Sequence, residues 1–120
     1  MSRAILLVDH GSRRSAANEQ LERVADAVRE RVSDCMVAIA HMELATPSIS
    51  EAIGACVVAG ADEIIVHPYF LAPGNHTTTD IPRLVEEAMH QHQGVSVRIS
   101  EPLGLHPKLV DVILHRVDAV

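Results

Sequence analysis

The sequence has 120 residues, of which 48% are hydrophobic, and its formal net charge at pH 7 is -6. This length and apolar content fit one folded domain, residues 1–120, and exclude a disordered chain. The negative charge argues against nucleic acid and an anionic membrane surface as partners. Two cysteines and no recognisable secretory leader predict a cytoplasmic protein without a disulfide framework.

The first half of the chain alternates apolar runs with a segment of helical periodicity. Arg3 to Val8 is an apolar run that predicts the first strand. Ser15 to Val32 has apolar residues at the spacing of an amphipathic helix. Cys35 to Leu44 contains a second apolar run, which predicts the second strand.

The second helix has two candidate starting points. Thr46 and Pro47 fit an N-cap followed by proline at the first helical position, and this is the start that we expect. Ser48 and Glu51 fit a capping box that lies one turn further on. Gly60 is a suitable stop for a helix from either start.

The second half repeats the alternation. Asp62 to His67 predicts the third strand, and a helical pattern follows a long loop and runs to about His92. Val95 to Ile99 predicts the fourth strand, and His106–Pro107 begins a last helix. We expect this helix to bury the side that carries Leu109, Val110, Ile113, Leu114 and Val117.

Strands that alternate with helices predict an α/β fold, a three-layer α/β/α sandwich around a parallel sheet. We expect four strands in the order 2-1-3-4. In this order the chain winds in opposite directions from the first strand to its two neighbours. The loops after strands one and three then emerge at the switch point, where open α/β sheets bind ligands.

Three side chains that ligate metals follow strands at this predicted edge. His10 comes after the first strand, Glu43 after the second, and His76 lies in the loop after the third. Two imidazoles and a carboxylate suit a divalent metal such as iron, cobalt, nickel or zinc. The alternative is that each histidine only hydrogen-bonds to its neighbours, and the spacing leaves both interpretations open.

Further candidates for ligand binding lie beside these histidines. Ser12 and Arg13 stand at the opening of the first helix, where arginine and free backbone amides can hold carboxylates. For Arg14 a solvated surface position is favoured. Tyr69 and Phe70 are the only aromatic residues, and they either present a flat face to a planar ligand or anchor the loop to the core.

Other kinds of site have less support. The sequence has neither a GxGxxG motif after the first strand nor a P-loop, so nucleotide binding lacks its usual signal. Asp9 fits a phosphoryl-accepting regulatory domain, but the further acidic residues of such a site are missing and the only lysine is Lys108. Ser12 beside His10 is a weak case for acyl transfer, because adjacent side chains rarely face each other.

Taken in order, the loop residues resemble those of the short-form sirohydrochlorin chelatases, which are class II tetrapyrrole chelatases. The resemblance runs from end to end and rests on four segments, 9–13, 42–47, 68–82 and 102–107. It implies ATP-independent insertion of Co²⁺, Fe²⁺ or Ni²⁺ into sirohydrochlorin, with the metal as substrate and with no permanently bound cofactor. It also implies a homodimer of single chelatase half-domains, since long-form members fuse two such units.

The resemblance also implies roles for individual residues. It gives metal handling or proton acceptance to His10, Glu43 and His76. The residues that it implies in tetrapyrrole binding are Ser12, Arg13, Tyr69, Phe70, Gly74, Asn75 and Thr77. A metal-binding or tetrapyrrole-binding delivery module without catalysis is the alternative. The motifs do not separate the cobalamin, siroheme and nickel tetrapyrrole pathways.

Overall fold

A computed structural model describes residues 2–120, except for the side chain of His76. The four strands are β1 (Arg3–Asp9), β2 (Cys35–His41), β3 (Glu63–Pro68) and β4 (Ser96–Ile99). The helices are α1 (Ser15–Arg29), α2 (Ile49–Val58), α3 (Ile81–Met89) and α4 (Pro107–Asp118), and a π-helical turn, His76–Asp80, leads directly into α3. Among the helices of the described residues, none is both long and apolar enough to cross a membrane.

The strands form one parallel sheet in the order β2-β1-β3-β4, which confirms the predicted topology. Leu7 of β1 lies beside Ile39 of β2 on one side and His67 of β3 on the other. The inner strand β1 is apolar from Ala4 to Val8 because helices cover both of its faces. All the strands therefore present their carboxyl ends at one edge of the sheet.

Each face of the sheet packs against its own helices. On one face, Leu21 and Ala25 of α1 pack in a cluster with Leu7 and Ile39. On the other face, α2 and α3 enclose a larger core with the even-numbered residues of β1 and β3. These aliphatic clusters hold the strands in the register that fixes the carboxyl edge.

The expected start of the second helix at Thr46–Pro47 is wrong, and the alternative capping box forms instead. Ser48 Oγ accepts the Glu51 backbone N–H at 3.1 Å, and the Glu51 carboxylate accepts the Ser48 N–H at 2.9 Å. The Pro47 carbonyl accepts the N–H of His41 at 2.9 Å, so this part of the chain is still bound to the end of β2. The chain is therefore free to turn into a helix only after Pro47.

The ends of one strand and of two helices also differ from prediction. β2 ends at His41 and not at Leu44, and the left-handed φ of Leu44, 69°, excludes that residue from an extended strand. Helices α1 and α3 end about one turn before the predicted Val32 and His92.

The prediction of a buried side on α4 is wrong. Val110, Ile113, Leu114 and Val117 are 43%, 58%, 55% and 63% exposed, and none of the twelve described residues of α4 is buried. Leu109, in the first turn, is half-buried. The helix is amphipathic as expected, but its apolar stripe is exposed to solvent.

We predict that replacing Ser48 by Ala destabilises the protein by about 1 kcal/mol, because one N-terminal N–H of α2 loses its acceptor. Thr46→Ala is the matched control, since Thr46 lies outside the helix and is exposed. The measurement is the urea midpoint of both variants at an unchanged m-value. Equal midpoint shifts in the two variants would show that the capping box does not carry this stability.

Candidate functional site

The site lies where the chain leaves β1 and β2. The Nε2 atom of His10 is 3.0 Å from Oε1 of Glu43, and the two side chains are 39% and 60% exposed. Two donors bound to one cation at about 2.1 Å and at a right angle lie about 3.0 Å apart. The contact is that of an ion pair or hydrogen bond, its length is also compatible with two ligands of one metal, and the pair is open to solvent.

Backbone hydrogen bonds continue the pairing of β1 and β2 into these loops. The N–H of Met42 donates to the Asp9 carbonyl at 3.0 Å, and the N–H of Glu43 donates to the His10 carbonyl at 3.1 Å. Nδ1 of His10 lies 3.2 Å from the Gly11 carbonyl oxygen. The main chain therefore brings the imidazole and the carboxylate together, although 32 residues separate them.

Gly11 lets the two loops approach each other closely. Its φ is +94°, and a Cβ atom at this position would lie 1.8 Å from the carbonyl oxygen of Glu43. That oxygen belongs to the backbone, so it cannot swing aside as the end of a long side chain would. Any side chain at position 11 would push the His10 turn away from the Glu43 loop.

A second pair, in which His41 is buried and Asp9 is half-buried, adjoins the first. Nδ1 of His41 is 2.5 Å from Oδ1 of Asp9, and the His41 side chain is only 2% exposed. The two residues are paired at the ends of β1 and β2. Sequence reasoning missed this contact, because its signal, polar residues closing two adjacent apolar runs, becomes clear only when the strand register is known.

The turn that holds Ser12 is closed by Asn18, which was also missed. The Asn18 side chain donates to the Ser12 carbonyl at 2.7 Å and accepts the Ser12 N–H at 3.0 Å. The hydroxyl oxygen of Ser12 accepts the N–H of Arg14 at 3.0 Å, which leaves its proton available to a ligand. Arg13 and Arg14 are exposed at the opening of α1.

The loop after β3 is partly held by its own side chains. Thr77 is 8% exposed, and its Oγ1 accepts the N–H of Gly74 at 2.9 Å. Gly74 and Asn75 are exposed. The contacts of these three residues with a substrate stay predictions, and for Thr77 the described role is closure of the loop.

His76 opens the π-helical turn that leads into α3, but its side chain lies outside the described residues. Among the side chains that are described, no group of three His, Cys, Asp or Glu residues could hold a metal ion. The contact between His10 and Glu43 is therefore the described part of the predicted set of three, and the role of His76 stays a prediction.

The two aromatic residues anchor the loop to both sides of the sheet. Tyr69 packs on the cluster under α1, and Phe70 packs on the opposite core. The Tyr69 N–H also donates to the Val8 carbonyl at 2.7 Å. Of the two interpretations of this pair, the structure supports anchoring, and contact with a planar ligand stays a prediction.

A positively charged side chain next to the site, that of Arg83, was also missed by sequence reasoning. A cavity of about 140 Å³ lies beside Glu43 and is lined in addition by Met42, Asp80, Arg83 and Leu84. The Arg83 guanidinium is 57% exposed and forms an ion pair at 3.1 Å with Glu87, one turn further along α3. Arg83 thus adds a positive charge on the side of Glu43 that faces α3.

A further histidine, His67, lies near the end of β3. Burial lowers its pKa, and its Nδ1 is 2.8 Å from Oγ of Ser100. The unfolded chain consequently takes up a proton on His67 at a higher pH than the folded chain does. This residue therefore makes the fold less stable as the pH falls below about 6.5.

We predict that Gly11→Ala both destabilises the protein and reduces metal binding at the site. The control is Gly60→Ala, because Gly60 also has a positive φ, of 102°, but a Cβ there meets nothing within 4 Å. Left-handed strain alone costs about 1–2 kcal/mol, and the clash at position 11 adds to it. Urea unfolding and Co²⁺ titration should separate the variants, and equal losses of stability and binding in both would contradict the close contact.

The CbiX family model matches residues 4–120. A sirohydrochlorin ferrochelatase, chloroplastic, from Arabidopsis thaliana is 45% identical over 113 residues, which cover 94% of this chain and 50% of that protein. A sirohydrochlorin cobaltochelatase from Methanocaldococcus jannaschii is 36% identical over 137 residues, covering 94% of this chain and 96% of the relative. The chain therefore spans half the length of the first relative and nearly all of the second.

Two solved structures are similar over the whole fold. The sirohydrochlorin chelatase SirB from Bacillus subtilis subspecies spizizenii, in complex with cobalt, has a TM-score of 0.93 and 30% identity, covering 100% of this chain and 51% of its own. SirB from Bacillus subtilis with Fe³⁺ has a TM-score of 0.90 and 30% identity, covering 97% of this chain and 46% of its own.

Proposed function

The chain belongs to the CbiX family, and on this premise we propose that it inserts a divalent metal ion into sirohydrochlorin without a nucleotide. The observation that carries the proposal is the contact of 3.0 Å between His10 and Glu43 at the open carboxyl edge of the sheet. The relatives are named ferrochelatase or cobaltochelatase, which supports Fe²⁺ or Co²⁺ as the metal substrate. Ni²⁺ suits the same ligand types.

Insertion of a divalent cation requires two protons to leave the pyrrole nitrogens. The exposed pair can serve both parts of this exchange. The His10 imidazole, when neutral, holds the arriving metal through a ring nitrogen or accepts one pyrrole proton, and Glu43 completes the site or accepts the other. Both groups then release these protons to solvent. His76 is proposed as the second imidazole. Because metal binding and proton removal both need an unprotonated imidazole, both should fail in acid.

The peripheral carboxylates of the tetrapyrrole need positive partners on a protein whose net charge is -6. We propose that Ser12, Arg13 and the free amides at the start of α1 bind one side of the macrocycle. Arg83, across the cavity beside Glu43, is suited to the other side. The proposed contacts of Tyr69, Phe70, Gly74, Asn75 and Thr77 complete the set from the loop after β3.

We propose that residues 1–120 form one chelatase half-domain that pairs as a homodimer. The chain matches half of the Arabidopsis relative and half of the cobalt-bound Bacillus chain, but nearly all of the Methanocaldococcus relative. The same unit occurs in short and in long chains. A short chain can use a second copy of itself where a long chain supplies a second half. A two-fold pair places two equivalent carboxyl edges in one assembly.

Turnover separates this proposal from a non-catalytic delivery module. The test supplies sirohydrochlorin in large excess over the protein, with Co²⁺ or Fe²⁺ in separate anaerobic reactions, and follows the absorbance of the metal complex. A chelatase converts many equivalents at a rate above that of the protein-free reaction. Conversion or binding of a single equivalent would instead identify a carrier.

We predict that His10→Ala and Glu43→Gln each lower the initial rate of metal insertion by about 100-fold or more, as for loss of a group that transfers protons or holds the metal. The double variant should be little slower than the slower single one, because the two side chains act as one unit. His10 is half-buried and Glu43 is exposed, and both lie in loops outside the packed faces, so stability should change by within about 0.5 kcal/mol. His90→Ala, at the exposed end of α3, is the control. Near-normal rates in both site variants would remove this mechanism.

We predict that Arg13→Ala weakens sirohydrochlorin binding by about 1.5–3 kcal/mol, the usual loss for a hydrogen bond to a charged group. Arg14→Ala is the matched control, since its exposed side chain stands next in the chain on the same helix end. Fluorescence quenching titrations with metal-free sirohydrochlorin measure the dissociation constants of both variants. Equal and negligible effects would show that the carboxylates bind elsewhere, with Arg83→Ala as the next variant to compare.

A further inference from the structure

On the basis of the function proposed above, we propose that Leu44 and Leu71 form an apolar support for the flat face of the tetrapyrrole. One leucine stands in the loop on each side of the turn that carries His10. Neither leucine is among the residues assigned above to the substrate. Two features of the described chain carry the inference: the strained and exposed backbone position of Leu44, and the place of both leucines relative to the strand ends.

Both leucines expose large apolar side chains at the carboxyl edge of the sheet. Leu44 is 52% exposed and Leu71 is 71% exposed. Each directly follows a residue that is held in place, because the Glu43 N–H donates to the His10 carbonyl and the Phe70 side chain packs on the core. A single exposed leucine is common on protein surfaces. Its conformation and its position are therefore what identify a contact.

The backbone of Leu44 is strained. Its φ is 69°, and the other non-glycine residue with a positive φ in the described part of the chain is Asp34, at 55°. Aspartate tolerates this conformation because its short polar side chain can hydrogen-bond locally, whereas leucine has no such compensation. Because about half of the Leu44 side chain stays exposed, packing within the chain offsets little of the strain. Strained residues of this kind cluster at binding sites.

The two leucines occupy equivalent positions after two strands. β2 ends at His41 and β3 ends at Pro68, so each leucine follows its strand by three residues. The strand ends are nearly level, because His41 lies beside Asp9 of β1 and Pro68 lies beside Val8. Since β1 runs between β2 and β3, the turn with His10 emerges between the two loops. An exposed leucine therefore follows the strand on each side of this turn.

The spacing of these loops is on the scale of a macrocycle. Neighbouring strands lie about 4.8 Å apart, so the ends of β2 and β3 are about 10 Å apart with β1 between them. A tetrapyrrole holds four pyrrole rings in one macrocycle, and when it is centred on the turn after β1 it extends over both neighbouring loops. Its periphery carries carboxylates, whereas its face is apolar. Aliphatic side chains on both sides of the centre suit this face, and the polar residues suit the periphery.

The exposed imidazole and carboxylate decide which partner fits between the leucines. A protein surface that covered both leucines would also cover His10 and Glu43, which are 39% and 60% exposed, and would close the proposed metal site. A tetrapyrrole instead has to bring its nitrogens to the metal at this place. Contact with its face buries the leucines and leaves the polar pair in use. The support is therefore assigned to the substrate and not to a second protomer.

Titration of leucine variants with metal-free sirohydrochlorin tests the support. Leu44→Asn and Leu71→Asn should each raise the dissociation constant about tenfold, the scale for covering about half of a leucine side chain. Asparagine has a similar size and tolerates a positive φ, so the backbone at position 44 is not forced to change. The double variant should lose about 100-fold, because sites about 10 Å apart act additively. The control is Val58→Thr, at an aliphatic residue that is 89% exposed at the C-terminal end of α2.

A pair of glycine variants separates contact with the substrate from support of the fold. Leu44→Gly and Asp34→Gly each remove a side chain from a left-handed position, so the urea midpoint of neither should fall. Only Leu44→Gly should weaken sirohydrochlorin binding, because Asp34 precedes β2 at the opposite edge of the sheet. The binding losses of the leucine variants should persist from about 50 to about 500 mM salt, since salt screens charges and not apolar contacts.

Co²⁺ titration without tetrapyrrole completes the test, and every leucine variant should bind the metal as the wild type does. Wild-type affinity of Leu44→Asn/Leu71→Asn for sirohydrochlorin, in a protein that converts many equivalents, would overturn the support and leave the proposed function standing. A fall in the urea midpoint or a loss of Co²⁺ binding would also overturn it, because the leucines would then act through the fold. A wild type that neither binds nor converts sirohydrochlorin would overturn both proposals.

Discussion

The close approach between Gly11 and the Glu43 carbonyl is the constraint on which the site depends. The turn after β1 and the loop after β2 come so near that a Cβ atom at position 11 would overlap a backbone oxygen. Two backbone hydrogen bonds, from Met42 to Asp9 and from Glu43 to His10, extend the strand pairing through this point. The distance between the His10 and Glu43 side chains is thus set by the main chain, which is stiffer than any side chain that reaches across a cleft.

The pair of Asp9 and His41, which adjoins the site, reinforces this arrangement. Asp9 and His41 close the last register position of β1 and β2, and their contact at 2.5 Å is largely shielded from solvent. Loss of either partner would leave a buried polar group unsatisfied, which costs about 1–3 kcal/mol. The next polar side chains are accessible to solvent: His10 follows Asp9 by one residue, and Glu43 follows His41 by two. The ends of the same two strands therefore provide a largely shielded pair and, next to it, an accessible pair.

The sequence allowed correct prediction of those features that depend on local pattern. The apolar runs and helical spacings predicted the four strands and their order, and strand ends located His10 and Glu43 on one edge. Features set by long-range contacts were not predictable. The start of α2 depends on Pro47 still being bound to His41, and the need for glycine at position 11 depends on a carbonyl 32 residues away. Helical periodicity in α4 indicated an apolar side, but periodicity cannot say whether that side packs on the sheet of its own domain.

An exposed imidazole and carboxylate, which we propose as metal ligands, suit a metal that must be passed on. A structural metal is normally enclosed by four protein ligands, and resident catalytic metals commonly have three. The described side chains place one imidazole and one carboxylate together at the rim, both accessible to solvent. Even with His76 as a third ligand, such a site leaves coordination positions free for pyrrole nitrogens. Because a macrocycle offers four nitrogens in one plane, it can displace ligands of this kind one by one. In the proposed function, weak and exposed binding at the protein would let the metal leave for the tetrapyrrole, and the close backbone contact of the two loops would keep that exchange at one place on the sheet edge.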